Sequence, residues 1–517
     1  MSNQSFFFYD LETSGLSARD DRIMQFAGQR TDLDLNPIGK PVNVLVKLTN
    51  DTLPSPSAIL VTKITPQKTQ SEGLTEAEFC EFIANEIFIR GTCAIGYNSI
   101  RFDDEFMRFC FWRNFYDPYE WQWKDGRSRW DLLDVVRLTR ALRPDGIKWP
   151  TQEIEVEDPS THKKKKVTVE TNRLELITKL NGINHAHAHD ALSDVEALID
   201  VTRLIKEKQP KLYNYLYNLR DKKQVARLVN LDNKAPFVYA CGRYPGEYHK
   251  TTVAFPLTSG RNGNILVFDL RYNLDELLKK EDSENKDLLK NNLEKVKKGE
   301  NIMEDAKPRS SFFPIVKELC LNKCPAVSPL SVLDVETTED LGKKSRTETG
   351  WQRIGLDRET VQKNLQSLLK HPDFAERMRE QFENRPEFPA AVDSESSLYD
   401  GFLNMHDAGL CNAIRNADAN RLADFHPDFN DERLPDLLLH YKAKNYPKSL
   451  AADEVTKWES YRLERLNRQL PSFTKQMEEF QSALGKGQTT TSRGQTIDPF
   501  ILEELSLWYQ SLQPEDY

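Results

Sequence analysis

The chain is poor in cysteine and histidine and has no long apolar run. Its seven cysteines are an odd, scattered set over 517 residues, which fits a reducing compartment better than a disulfide framework. Cys320 and Cys324 are the only close pair, and without a second pair a zinc site is not expected. No apolar stretch approaches the roughly 20 residues that span a bilayer. The opening residues, MSNQSFFFYDLETSG, lack the basic start of a secretory signal. The expectation is a cytoplasmic protein with no membrane partner. Excess positive charge is also missing: 71 Lys and Arg stand against 80 Asp and Glu, a net charge of −9. That total argues weakly against a polyanionic partner, because a local basic groove is compatible with an acidic whole. No internal repeat is visible.

What is present is a globular composition, 38% hydrophobic and 29% charged, long enough for two to four domains. Residues 5–9, SFFFY, read as a buried strand that delivers Asp10 to a sheet edge. MQFAGQR reads as a second strand and CAIGYN (93–98) as another. Helices are expected over 74–88, where Thr75 and Glu78 make a capping box, and over 102–115, 130–142 and 193–208. The lysine-rich stretch 162–166 is expected to be a loop. Strands with intervening helices give an α/β domain over residues 1–208. Short β-rich runs between Gly, Pro and Asn turns then suggest a small β-barrel-like unit over 209–357. Within it, 279–300 is a charged helix or loop. Residues 358–517 read as a helical C-terminal domain, with 485–496 as a flexible linker before a last short helix.

Three segments carry carboxylates at positions that chemistry can use. Asp10 and Glu12 stand at i and i+2, on one face of a strand, where they repel unless a cation or proton sits between them. A solvated strand end followed by the Gly15 turn is the commoner explanation for such a pair taken alone. In YNSIRFDDEF (97–106), Asp103 and Asp104 open a helix, and a helix N-terminus accounts for one acid without any function. In NHAHAHDALSD (184–194), histidines at 185, 187 and 189 precede Asp190 and Asp194. Either Asp190 or Ser193 caps the helix that follows, and the imidazoles are then surface residues.

Taken together, D-x-E on a first strand, N-x-x-R-F-D at a later strand-to-helix turn, and H-x-A-x-x-D entering a helix resemble the DEDD exonuclease superfamily, histidine subtype. The segments YNSIRFDDE, FWRNFYDPYEWQW, SRWDLLDVVRLTRALRPDGIKWP and LNKCP, with LYDGF and YKAKNYP near the end, are similar to the exodeoxyribonuclease I family over most of the chain. The resemblance implies a ribonuclease-H-like α/β nuclease domain, a small Src-homology-like β-barrel domain and a helical C-terminal domain. It also implies 3′-to-5′ hydrolysis of single-stranded DNA to nucleoside 5′-monophosphates, in DNA repair and recombination. Asp10, Glu12, Asp103 and Asp194 would hold two Mg²⁺, for which Mn²⁺ can substitute; oxygen-only donors suit such hard ions. His189 would be the general base, with Glu12 and Asp103 completing the catalytic set. His185 and His187 become loop residues, so a three-imidazole metal site is not expected.

The resemblance implies substrate contacts from Glu12, Arg108, Arg137, Arg173 and Lys222, and the aromatics past Pro118 add Tyr119 and Trp123. Aromatics stack bases and cations track phosphates, although a basic residue is as often an ordinary surface cation. Trp112 and Trp130 are expected in the core. The resemblance further implies binding of the acidic C-terminal tail of single-strand DNA-binding protein, by a monomer. Leu11, Ser14 and the lysine stretch depart from the family pattern, while the ligands are intact. Competing readings are an RNA-directed or proofreading exonuclease of the same superfamily and a non-catalytic DNA-binding scaffold.

Overall fold

The computed structural model describes residues 4–157, 164–185, 190–281, 312, 314–340, 345–385, 390–491 and 495–513. His187, His189, Lys163, most of 279–300 and part of 485–496 lie outside the described residues. The chain divides into two compact units. The first comprises residues 1–131, 184–200 and 387–517, and the second 132–183 and 201–386.

The first unit is built on a five-stranded sheet in the order β3-β2-β1-β4-β5. Its strands are β1 (Ser5–Thr13), β2 (Ile23–Thr31), β3 (Val42–Leu45), β4 (Thr92–Gly96) and β5 (Ser128–Asp131). β1 pairs antiparallel with β2 and parallel with β4, and β5 runs parallel to β4. The central place of β1 explains its unbroken aromatic run: Phe6, Phe7, Phe8 and Tyr9 are all buried. Phe7 and Tyr9 pack with Phe26, Phe79, Phe88 and Trp121, and with Phe106, Met107 and Cys110 of the helix Asp103–Arg113.

The capping box expected at Thr75 is present, with Glu78 N donating to Thr75 Oγ1 at 3.2 Å and Thr75 N to Glu78 Oε2 at 2.8 Å. The helix it starts, Glu76–Phe82, gives way to a π turn at Ile83–Ile87. Trp112 and Trp130 are core residues, as expected. The helix expected over 130–142 begins only at Leu132, because Trp130 and Asp131 pair with Ile95 and Gly96 in the sheet.

Helices from the C-terminal third cover this sheet domain. Leu398, Ile414, Leu437 and Tyr441 pack against Phe109, Trp112 and Phe115. The helices Ala452–Gly485 and Pro499–Ser511 bring Leu466, Phe473, Met477, Leu505 and Trp508 against Met24, Leu48, Leu53 and Ile59. The expected flexible linker is partly ordered instead. Ile497 N donates to Thr489 O at 2.9 Å and Thr491 N to Gln495 O at 2.8 Å, which satisfies backbone groups in a small turn.

In the second unit, β6 (Thr151–Glu157) and β7 (Lys164–Glu170) form an antiparallel hairpin. Lys164–Lys166 are therefore strand residues, not loop as expected; cross-strand pairing and ion pairs from Lys164 to Glu155 and Lys166 to Glu153 offset their poor strand propensity. The expected barrel-like unit is a five-stranded antiparallel sheet in the order β11-β10-β9-β8-β12. Its strands are β8 (Phe237–Ala240), β9 (Thr251–Ser259), β10 (Ile265–Asp269), β11 (Val316–Leu319) and β12 (Ala326–Pro329). A second hairpin joins β13 (Glu336–Asp340) to β14 (Ser345–Thr349). The helices Arg358–Leu369 and Phe374–Glu383 dock on the barrel sheet. Asn364 Nδ2 donates to Leu270 O at 2.9 Å, and Phe374 meets Phe268 edge-on at 5.9 Å. Both helices lie beyond residue 357, where the sequence suggested a domain boundary.

Candidate metal centre and active site

Alternation along β1 puts Asp10 and Glu12 on one face at the strand's C-terminal end. Asp194 joins them from the first turn of the helix Ala191–Lys208. Asp190 caps that helix, its Oδ1 accepting from Ser193 N at 3.0 Å. One carboxylate oxygen from each of Asp10, Glu12 and Asp194 lies within 4.8 Å of the others.

Asp103 enters from the end of β4. The turn that leads to it, Ser99–Arg101, follows Asn98, whose φ of 67° is left-handed and suits asparagine. Asp131, at the end of β5, fixes this turn by accepting from Asn98 N at 2.9 Å and Ile100 N at 3.2 Å. The choice between the adjacent acids is then decided by their partners. Asp104 is buried and engaged, with Tyr9 Oη donating to Oδ1 and Arg129 Nη1 to Oδ2, both at 2.5 Å. Asp103 stands outside the 4.8 Å group of Asp10, Glu12 and Asp194, and burial first and then the charge of Asp10 raise its pKa.

The electrostatics show buried carboxyls crowded against one another. Burial first, and then Asp194, push Asp10 well above the ordinary carboxylate range. Burial, Asp10, Asp194 and Asp190 raise Glu12 to about 9. Burial, Asp10 and Asp104 raise Asp103. Three carboxyls whose ionisation is opposed by burial and by neighbouring acids, with Asp194 beside them, are a poor arrangement for metal-free protein and a good one for divalent cations, which take oxygen donors. The residues present therefore fit the expected ions.

His185 is what the sequence reading missed. Its Nε2 lies 2.5 Å from Asp194 Oδ1, and its side chain is only 3% exposed. The contact joins residues nine apart in the chain, a separation that no local pattern marks. His189 lies outside the described residues.

The expected DNA contacts are placed unequally. Trp123 is 64% exposed, and Tyr119 is half-buried. Arg108 is buried and donates to Glu105 and Gln122, with its guanidinium 5.4 Å from the Tyr119 ring centre. A further aromatic extends the group: Phe402, 90% exposed, lies 6.3 Å from Tyr119. It belongs to the LYDGF segment, so its signal was present in the sequence without a role attached. Arg137, Arg173 and Lys222 belong to the second unit. There Arg137 pairs with Asp134 at 2.5 Å, Arg173 lies 3.8 Å from Glu175, and Lys222 is exposed at the start of a helix capped by Asp221.

Comparison with known proteins matches three family models in succession. They are an exonuclease domain over residues 7–202, an exonuclease I SH3-like domain over 220–384 and an exonuclease I C-terminal domain over 392–512. Exodeoxyribonuclease I of Haemophilus influenzae is 38% identical over 91% of this chain and 92% of its own length. The chain belongs to the exodeoxyribonuclease I family. The Escherichia coli member is 35% identical over 89% of each chain. Its crystal structure with a dA16 oligonucleotide superimposes with a TM-score of 0.81, covering 99% of this chain and all of that one at 29% identity. Exonuclease I of Methylocaldum szegediense gives 0.79 at 34% identity, over 98% and 99% of the two chains. One form of the Escherichia coli complex with single-stranded DNA is zinc-bound. The nuclease, SH3-like and helical C-terminal parts expected from the sequence are those of the family. Among the described residues no helix is long and apolar enough to cross a membrane.

Proposed function

We propose that this chain is a 3′-to-5′ exonuclease that removes nucleoside 5′-monophosphates from single-stranded DNA in repair and recombination. The observation that carries the reading is the meeting of Asp10, Glu12 and Asp194 within 4.8 Å, in a chain of this family. Asp10, Glu12, Asp103 and Asp194 would hold two Mg²⁺, with Mn²⁺ a substitute. Ions held there would supply a clamp for the attacking water and the leaving oxygen of an in-line displacement.

The chain's own residues do the rest. His189 accepts the proton of the attacking water, a task suited to an imidazole near neutral pH. His185 orients Asp194 through its 2.5 Å contact. Asp104, held by Tyr9 and Arg129, fixes the helix start that aims Asp103. Tyr119, Trp123 and Phe402 stack bases, while Arg108, 5.4 Å from the Tyr119 ring centre, steadies that ring. Arg137, Arg173 and Lys222 contact phosphates or substrate, and Glu12 touches the substrate end as well as the ions. The acidic C-terminal tail of single-strand DNA-binding protein is a partner, and the protein acts as a cytoplasmic monomer.

The test is digestion of 5′-labelled single-stranded DNA, duplex DNA and RNA with Mg²⁺, with and without chelator, beside Asp10→Ala. Stepwise shortening of single-stranded DNA by the wild type alone, with mononucleotide products, is the expected result. Preferential digestion of RNA would favour the RNA-directed alternative. Activity that persists in EDTA or in Asp10→Ala would remove the carboxylate–metal mechanism. No digestion of any substrate would leave the scaffold reading.

A further inference from the structure

The end of β1 that carries Glu12 is irregular. Its register against β2 jumps from Glu12 opposite Gln25 to Thr13 opposite Ile23, so Met24 is the extra residue of a bulge. Bulges commonly re-aim a side chain beside an active site. Ser14 and Arg22 close this one: Ser14 N donates to Arg22 O, and Arg22 N to Ser14 Oγ, each at 2.9 Å. On its other side Ser14 O accepts from Ser55 N at 2.7 Å.

Both supports are held by residues from the far end of the chain. Arg22 Nη2 lies 2.6 Å from Glu395 Oε2 and 3.3 Å from Asp51 Oδ2. Lys444 Nζ donates to the other oxygen of Glu395, and Arg465 Nε lies 3.1 Å from Asp51 Oδ2. The loop that carries Ser55 is held by the helix Ala452–Gly485. Leu53 N donates to Gln469 Oε1 at 2.6 Å, and Ser55 Oγ to Gln476 Oε1 at 3.0 Å. The side chains of Arg22, Asp51, Glu395, Lys444 and Arg465 are at most 2% exposed. Burial opposes their ionisation, yet Lys444 and Arg22 hold Glu395 well below the usual carboxylate range. Buried ion pairs add little net stability compared with apolar packing, because desolvation offsets their attraction. What they add here is a fixed direction.

We propose that Glu395 and Lys444, with Gln469 and Gln476, are positioning residues that act through Arg22 and Ser14 to set the aim of Glu12 and so the affinity of the divalent-ion site. The C-terminal part is thereby a component of the metal centre as well as a cover for the core. This rests on the reading of Asp10, Glu12 and Asp194 as cation ligands.

The experiment is Mn²⁺ titration of the full-length protein without DNA, followed by electron paramagnetic resonance, with thermal melting in parallel. Glu395→Gln and Ser14→Ala should each bind Mn²⁺ about 10- to 100-fold more weakly, the range found when groups that orient metal ligands are removed. Lys442→Met is the control. Lys442 is a buried cation of the same C-terminal part, 2.7 Å from Glu454 and outside the Arg22 cluster, so its loss should lower the melting temperature and leave Mn²⁺ affinity unchanged. Should Glu395→Gln not fold, Gln469→Ala removes only a neutral hydrogen bond from the same support and should weaken Mn²⁺ binding in the same direction. Wild-type affinity in both Glu395→Gln and Ser14→Ala would overturn the proposal and leave the metal reading intact. Weakening in Ser14→Ala alone, or to an equal degree in Lys442→Met, would also overturn it. A wild-type protein that binds no Mn²⁺ would remove the metal reading itself.

Discussion

His185 Nε2 sits 2.5 Å from Asp194 Oδ1 in a nearly closed environment, so the first histidine of NHAHAHD touches a candidate metal ligand. A histidine that orients a ligand and one that moves a proton fail differently when removed. His185→Ala should weaken Mn²⁺ binding about 10- to 100-fold, with turnover partly restored at high Mn²⁺. His189→Ala should keep wild-type Mn²⁺ affinity and lose at least ~100-fold in turnover, as expected for a general base. Titration of both variants by electron paramagnetic resonance and by nuclease assay separates the roles; the reverse pattern would exchange them.

Asp103 and Asp104 should part company in the same way. Asp103→Asn should fold with a melting temperature near that of the wild type and lose nearly all hydrolysis. Asp104→Asn leaves Arg129 without its buried countercharge and should cost about 3–5 kcal/mol of stability. Denaturant unfolding beside the nuclease assay reads both effects.

Metal-free protein should lose stability as pH rises. The folded pKa of Glu12 is raised by burial and by Asp10, from 4.5 to about 9. Between those two values the folded state holds a proton that the unfolded state has released, so unfolding becomes easier with each step up in pH. Asp10 and Asp103 are shifted in the same direction. Melting temperature in EDTA should therefore fall from pH 5.5 to 8.5. Added Mg²⁺ should raise it most at the alkaline end, where it replaces the missing protons. A melting temperature in EDTA that is flat or rising with pH would contradict the electrostatic account.

The exposed aromatics should matter to binding alone. Phe402→Ala and Trp123→Ala should each weaken binding of a single-stranded oligonucleotide by about 1–3 kcal/mol, measured by fluorescence anisotropy in Ca²⁺ or EDTA. Both side chains are largely in solvent, so the melting temperature should not move. Unchanged affinity in both would separate this patch from the path of the strand.

Much of the fold was legible because its signals are local. The aromatic run at 6–9 marks a strand buried on both faces, and Thr75 with Glu78 marks a helix start. Lys164–Lys166 misled because a charged run reads as loop until its cross-strand glutamates are known. Trp130 and Asp131 misled because an amphipathic helix pattern continues back into a buried strand.

The sequence by itself determined the donor types and their approximate places: carboxylates at strand end, turn and helix start, with histidine close by. Short-range rules suffice for that, since alternation, turn chemistry and capping act over a few residues. Only the tertiary structure decided which neighbour does what. Asp104 is taken by Tyr9 and Arg129, His185 reaches Asp194, and Glu395 supports Arg22 from 373 residues away. Those outcomes depend on which charged groups exclude water together, and no local pattern records that.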